Sequence, residues 1–322
     1  MDFELNDVQA AWREKGAALG RAVAGDPAAP AVVRAAARHG LLDPSADLLA
    51  FVVAVEAVAQ QSPAAAVALA LHSGVALGLS RDSRFPSLFR GETTAAVGLS
   101  SDDSPSEQGG RLSGRAPWVA PITDCGLAVV SPQGGADRIA HAVALDAPGV
   151  TVERVGTAAL AGLVCGHVSF AGAASEPIGA TVPIMARIRI LMAAAGLGIG
   201  RRALRDALTA ARMARTASAG EQTVQGLLAD AATELDAAML MTWKAAAGAP
   251  PSLGGASLAK LMATGAAQRA VERATQVVGA DSFARGHIIE RLAQDVRALE
   301  LFAGRTEALR AAVAEDVLPQ VS

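Results

Sequence analysis

After Pro183 the apolar residues recur with the period of an α-helix, and that run limits the C-terminal part of the chain to packed helices. Ile184, Ile188, Leu191, Ala195 and Ile199 share one face. Val224, Leu227, Leu228, Ala231, Leu235, Ala238, Met239, Thr242 and Trp243 follow the i, i+3, i+4 pattern for about five turns. The stripe through Val224, Leu235, Met239 and Trp243 reads as internal core rather than as an interface. A Pro- and Gly-rich stretch from Gly248 to Gly255 breaks the chain, and two further helices are predicted over 256–278 and 286–313. Together these form a four-helix bundle over residues 183–322.

Upstream the texture differs twice. Residues 4–24 and 30–40 read as helices, the second stopping at Gly40; the stretch Pro44 to Asp47 caps a third helix that runs to Gln61. Ser62-Pro63 opens a fourth, with Pro at an early helical position, and residues 81–90 are short and broken. From Thr93 to Gly179, Gly, Ser, Pro and Asp increase. Val164, Gly166, Val168 and Phe170 interleave with Cys165, His167 and Ser169 at period two. Strands are predicted there and at 93–100, 126–131, 138–146 and 149–155. The expected fold is α+β and mainly α: an N-terminal helical domain (1–92), a small central antiparallel β-domain (93–182) and the bundle.

The chain of 322 residues is 52% hydrophobic but only 3% aromatic, with no Tyr, so Ala, Val and Leu must fill its core. A net charge of -3 and the lack of any basic block argue against a nucleic-acid partner. Met1-Asp2-Phe3-Glu4 lacks the layout of a secretory leader, and no long apolar run is free of charge or Gly/Pro, so no membrane span is expected. Cys125 and Cys165 are far apart and read as buried small hydrophobes in a reducing, cytoplasmic setting. The five histidines have no ligand-spaced or triad-like neighbours; they read as structural, and no metal site is expected.

Helices, then a β-domain, then a four-helix bundle is the layout of the acyl-CoA dehydrogenases, and local segments resemble that family along nearly the whole chain. Phe3 to Gln9 is similar to the family's first helix, and Gly91-Glu92 followed by 93–101 to the start of its β-domain. Gly114-Arg115-Ala116-Pro117-Trp118-Val119-Ala120 resembles the Trp-Ile-Thr segment at the flavin. Arg189, Ala193 to Gly198 and Arg202-Ala203-Leu204 resemble the first bundle helix; Ala256 to Lys260 and Ala274 to Gly279 resemble the third.

By this resemblance the reaction is α,β-dehydrogenation of an acyl-CoA thioester with FAD, using a carboxylate base on the substrate face. The family carries that base in a turn that matches Leu301-Phe302-Ala303-Gly304-Arg305-Thr306, where Ala303 stands in its place. Some members place it on the first bundle helix just before a characteristic Arg, and Ile188 stands there before Arg189. Both base positions are therefore empty. Glu300, one turn earlier, reads either as a substitute base or as a solvated helix-surface residue beside Asp295 and Arg297. The resemblance implies cofactor contacts from Ser100 and Trp118; Ser100 reads equally as the cap of a turn, and Trp118 equally as core. From the neighbouring subunit's side it implies Arg215, Gln276, Val277 and Gly279. The Thr that meets the flavin ring in the family is Ala120 here, and the loop after Arg215 lacks a Phe and is short. Gly279 reads equally as a helix C-cap.

Two functional readings follow. In the first, the chain is a degenerate subunit of a heterotetramer, two copies each of this chain and a paralogous acyl-CoA dehydrogenase subunit, with FAD at a shared interface and the partner supplying the base. A shortened N-terminal domain would also suit a bulky acyl group. In the second, it is a non-catalytic interaction or scaffold protein that keeps the fold.

Overall fold

A computed structural model describes residues 4–25, 27–80, 82–99, 103–124, 126–133, 139–213 and 221–318. Its N-terminal part is helical: α1 (Asp7–Val23), α2 (Ala29–Arg38), α3 (Leu48–Ala59), α4 (Pro63–Gly78) and the short α5 (Pro86–Phe89). Local chemistry sets the starts. Asn6 and Gln9 form a reciprocal capping box on α1, and Asp47 accepts from the Ala50 amide at 2.7 Å to open α3. Ser62 caps α4 with Pro63 just inside it. α3 and α4 are apolar on nearly every side and nearly every residue is buried, so they form the centre of this part.

The central strands make two four-stranded sheets. One has the order β1 (Thr94–Gly98), β4 (Gly126–Val130), β5 (Ile139–Ala144), β8 (Glu176–Ala180). The other has the order β2 (Ser106–Gln108), β3 (Arg111–Val119), β7 (Cys165–Ala174), β6 (Val150–Val155). Pairing is antiparallel except between β1 and β4, which run parallel with Thr94 opposite Gly126 and Gly98 opposite Val130. The all-antiparallel expectation is corrected at that pair: the β2–β3 hairpin lies in the other sheet, so the chain returns to lie beside β1 in the same direction.

The C-terminal bundle contains α6 (Thr181–Met213), α7 (Gln222–Ala247), α8 (Leu253–Val278), α9 (Ile288–Leu301) and α10 (Thr306–Val317), with a short 3-10 turn at Gly279–Phe283. The single helix predicted over 286–313 is instead two, because Ala303 and Gly304 both take positive φ (57° and 116°) and stop the spiral. α6 is long and apolar enough to cross a membrane by length and composition, but 78% of its apolar window is buried in the protein. It packs against α3, α4, α7, α8 and α9. Along α7, Leu235 is fully buried, while Val224, Met239 and Trp243 are only half-buried. The expected core stripe is thus core at its centre and open at its flanks. One apolar core runs through the N-terminal helices and the bundle together, and a smaller one fills the space between the sheets.

Candidate active site

The turn between α9 and α10 is where the bundle concentrates buried charge. Arg189 reaches it from α6 and is 8% exposed. Its Nε donates to the Ala303 carbonyl at 3.0 Å and its Nη1 to Ser257 Oγ at 2.7 Å. A Cβ at Gly304 would stand 3.1 Å from Arg189 Nη2, so the turn closes directly over the guanidinium. Lys260 reaches the same turn from α8 and is fully buried. Its ammonium donates to the carbonyls of Glu300 (3.1 Å) and Gly304 (2.8 Å), acceptors left free at the end of α9. Burial, reinforced by the nearby Arg189 charge, pulls the Lys260 pKa down to about 7, against a smaller upward pull from Glu300.

Two cations therefore hold three carbonyls of the turn that should present the base, and the side chain it presents is the methyl group of Ala303. Ile188 at the alternative position is fully buried; a Cβ on Gly74 of α4 would fall 2.4 Å from its Cγ1. The space beside it is filled by helix-to-helix packing. Glu300 is half-buried and engaged: Thr306 Oγ1 donates to it at 2.8 Å and Gln268 Nε2 at 2.9 Å. Those two bonds, Thr306 first, hold its carboxyl below the ordinary range. It is neither a free surface residue nor a base poised to take a proton.

The expected cofactor contacts are dispersed. Trp118 lies on β3 with φ 52°, 58% exposed, and its ring meets His167 edge-on at 5.5 Å between centroids. Ala120 is buried, and its backbone exchanges two hydrogen bonds with Val97 (2.7 and 3.2 Å). It has neither a hydroxyl nor a spare N–H for a flavin ring, so the ring position does not fit the cofactor. Gln276 is exposed and Val277 half-buried near the end of α8. Gly279 has φ 74°, its N–H donates to the Thr275 carbonyl, and no atom lies within 4 Å of where its Cβ would be. The helix-cap role of Gly279 is therefore met, and the turn is also open to close approach by another molecule, as a diphosphate requires. Ser100 and Arg215 lie outside the described residues. Among the described residues no group of three His, Cys, Asp or Glu could hold a metal.

Lys260, Ser257, Gln268 and Thr306 were not anticipated. Helical phase carried a signal for Lys260: it falls on the face of Ala256, Ala263 and Ala267, all buried, where a lysine is out of place unless its ammonium is bonded.

Residues 180–318 match the family described as acyl-CoA dehydrogenase, C-terminal domain. The C-terminal bundle is similar to that of the acyl-CoA dehydrogenases. It is 31% identical over 193 residues to a 3-sulfinopropanoyl-CoA desulfinase of Paraburkholderia xenovorans, covering 54% of this chain and 50% of that protein. It is 36% identical over 136 residues to the mitochondrial short-chain specific acyl-CoA dehydrogenase of Bos taurus, covering 40% of this chain and 33% of that one. The chain thus spans half or less of the length of these curated relatives in the matches. Butyryl-CoA dehydrogenase from Megasphaera elsdenii superposes with a TM-score of 0.87 at 18% identity, over 99% of this chain and 100% of that one, and so shares the fold. The α9–α10 turn that holds Ala303 lies within the residues matched by that family.

Proposed function

We propose that this chain is a subunit of an FAD-dependent acyl-CoA dehydrogenase that lacks a base of its own and completes its sites with a paralogous partner. The observation that carries the reading is the α9–α10 turn: Arg189 and Lys260 hold its backbone carbonyls, yet it offers Ala303 where a carboxylate belongs. The scaffold of the site is built and its reacting group is missing. Such a turn costs two buried cations to maintain, which a bundle with no need for it would not require.

When bound, FAD supplies the hydride acceptor for α,β-dehydrogenation. The described residues do not build the ring's polar contact on this chain, since Ala120 offers a methyl group and a committed N–H. The contribution assigned to this chain is therefore the exposed Gln276 and the open Gly279 turn, presented to a cofactor seated mainly on the partner. The partner supplies the carboxylate that removes the α-proton of the acyl-CoA. A heterotetramer with one FAD per mixed pair follows from this division.

A second reading is a non-catalytic scaffold of the same fold; the lost hydroxyl at Ala120 and the packed Ile188–Gly74 contact favour it. Native mass and flavin absorbance discriminate the two. The chain would be measured alone and after co-expression with a paralogous acyl-CoA dehydrogenase. Acyl-CoA oxidation would be assayed alongside, with 3-sulfinopropanoyl-CoA in the panel because one relative is named for it. A flavin-poor chain that becomes a yellow mixed tetramer supports the shared site. A colourless homo-oligomer that ignores the partner, or a fully flavinated homo-oligomer active by itself, overturns it.

A further inference from the structure

α10 is held to the bundle by little. It packs on α8, and of its 12 residues Leu309 alone is buried, with Ala312 and Val313 half-buried beside it. No side chain caps its start, and its last turn carries Glu315 and Asp316 with no basic residue, the unfavourable sign for a helix C-terminus. A free helix of this length is marginal in water.

Both ends of α10 are nevertheless fixed. At its start the Ala303–Gly304 turn is bonded to the bundle: Arg189 holds the Ala303 carbonyl and Lys260 the Gly304 carbonyl. At its far end Asp316 lies on Gly254 in the first turn of α8. A Cβ at Gly254 would overlap the Asp316 carboxylate, so the glycine makes the seat, and the positive end of the α8 dipole favours a carboxylate there. Between its ends α10 stands off α8. A cavity of about 410 Å3 separates Thr306, Leu309 and Arg310 from Lys260, Thr264 and Gln268. Under it Thr264 is 5% exposed and its Oγ1 has no partner, whereas Thr242 and Thr275 each donate to the carbonyl four residues back. A buried hydroxyl without a bond favours any state in which water reaches it.

We infer that α10 is a latched lid: it pivots on the Ala303–Gly304 turn, which stays bonded to Arg189 and Lys260, and its far end is latched by Asp316 on the first turn of α8. Closed, it covers Thr264 and sets Thr306 against the Glu300 carboxylate. Lifted, it opens the cavity to water and takes the Thr306 bond from Glu300. The weak packing through Leu309 makes this motion cheaper than unfolding of the bundle, in which α8 also packs on α6, α7 and α9.

The test is labelling of the native full-length protein with iodoacetamide, read peptide by peptide by mass spectrometry so that Cys125 and Cys165 are counted apart. Thr264→Cys places a thiol under the lid. Ala263→Cys places one at the adjacent position of α8, fully buried in the cluster of Ala193, Leu197 and Leu235, where only unfolding of the bundle exposes it. Thr264→Cys is expected to label at least about a hundredfold faster than Ala263→Cys, at a rate that barely changes in low urea. Leu309→Ala removes the one buried side chain of the lid. It should speed labelling of Thr264→Cys about thirtyfold, the scale of a truncated core leucine, and leave Ala263→Cys as it was. Asp316→Asn should speed Thr264→Cys about threefold, the scale of a charge at a helix end. Equal labelling at the two positions, or acceleration of both in step by Leu309→Ala, makes α10 an integral part of the bundle and overturns the inference. An Asp316→Asn protein in which Thr264→Cys labels at the unmodified rate overturns the latch.

Discussion

Ala303 holds a left-handed backbone, φ 57°, where a side chain is strained by about 1–2 kcal/mol. Its carbonyl is bonded to Arg189 whatever the side chain is. Ala303→Gly should therefore stabilise the protein, by about 0.5–1 kcal/mol once the greater freedom of Gly in the unfolded chain is deducted. An unchanged or lower urea midpoint would show that the strain is relieved elsewhere. Lys260 gives a prediction with a sign. Its pKa falls from 10.5 to about 7 on folding, so between those values the unfolded chain holds one more proton than the folded one. Stability contributed at this residue is lowest below pH 7 and rises with pH up to about 10.5, with a slope of at most about 1.4 kcal/mol per pH unit. Urea denaturation at several pH values should show this rise in the parent and its loss in Lys260→Met; parallel curves would mean that the ammonium is better solvated than its burial implies. At this scale the sequence was legible for identity and not for engagement. That Ala303 and Ile188 carry no base follows from their letters. That Glu300 is bound by Thr306 and Gln268 depends on the α9–α10 break, which brings Thr306 back beside it.

Elements were legible where a cap or a helical period marks them. α1, α4 and α8 fall within a few residues of expectation because caps and periodicity agree. β3 was hidden: Gly114 and Pro117 interrupt it, and only Leu112, Ala116 and Val119 along it are buried, which is no clean alternation. The α9–α10 break was hidden as well, since Ala303 is a good helix former, while in the fold its carbonyl is bonded by Arg189 and its backbone is left-handed. Helix contacts give a paired prediction. A Cβ on Gly16 of α1 would lie 2.5 Å from the Ala54 carbonyl oxygen of α3, so Gly16→Ala must push two helices apart. A Cβ on Gly226 of α7 meets nothing within 4 Å. Gly16→Ala should destabilise by about 1–3 kcal/mol as an overpacked core does, and Gly226→Ala should stabilise by up to about 1 kcal/mol through helix propensity. Thermal unfolding of the two variants should move in opposite directions; a shift of the same sign would mean that the α1–α3 contact yields.

Across the whole molecule, the order of helices, sheets and bundle was the most legible feature, because a helical period, a period of two and a helical period again succeed one another along the chain. Two facts bear on how such a fold could serve a shared site. The N-terminal helices and the bundle are joined in one apolar core, so they form a rigid unit that a partner meets as a preformed surface. The groups the family resemblance assigns to the cofactor, Trp118 on β3 and Gln276 and Gly279 at the end of α8, are open rather than packed: Trp118 and Gln276 are exposed, and Gly279 has empty space over it. If Gln276 is offered across a subunit boundary, shortening it removes a hydrogen bond to the cofactor and touches nothing in the monomer core. Gln276→Ala in the co-expressed assembly should then leave native mass and melting temperature unchanged while the flavin content per mixed pair falls several-fold. A scaffold would show no change in flavin because none is bound through this chain. A drop in native mass together with flavin would make Gln276 an interface residue first, and the division of labour between the two subunits would have to be redrawn around Trp118.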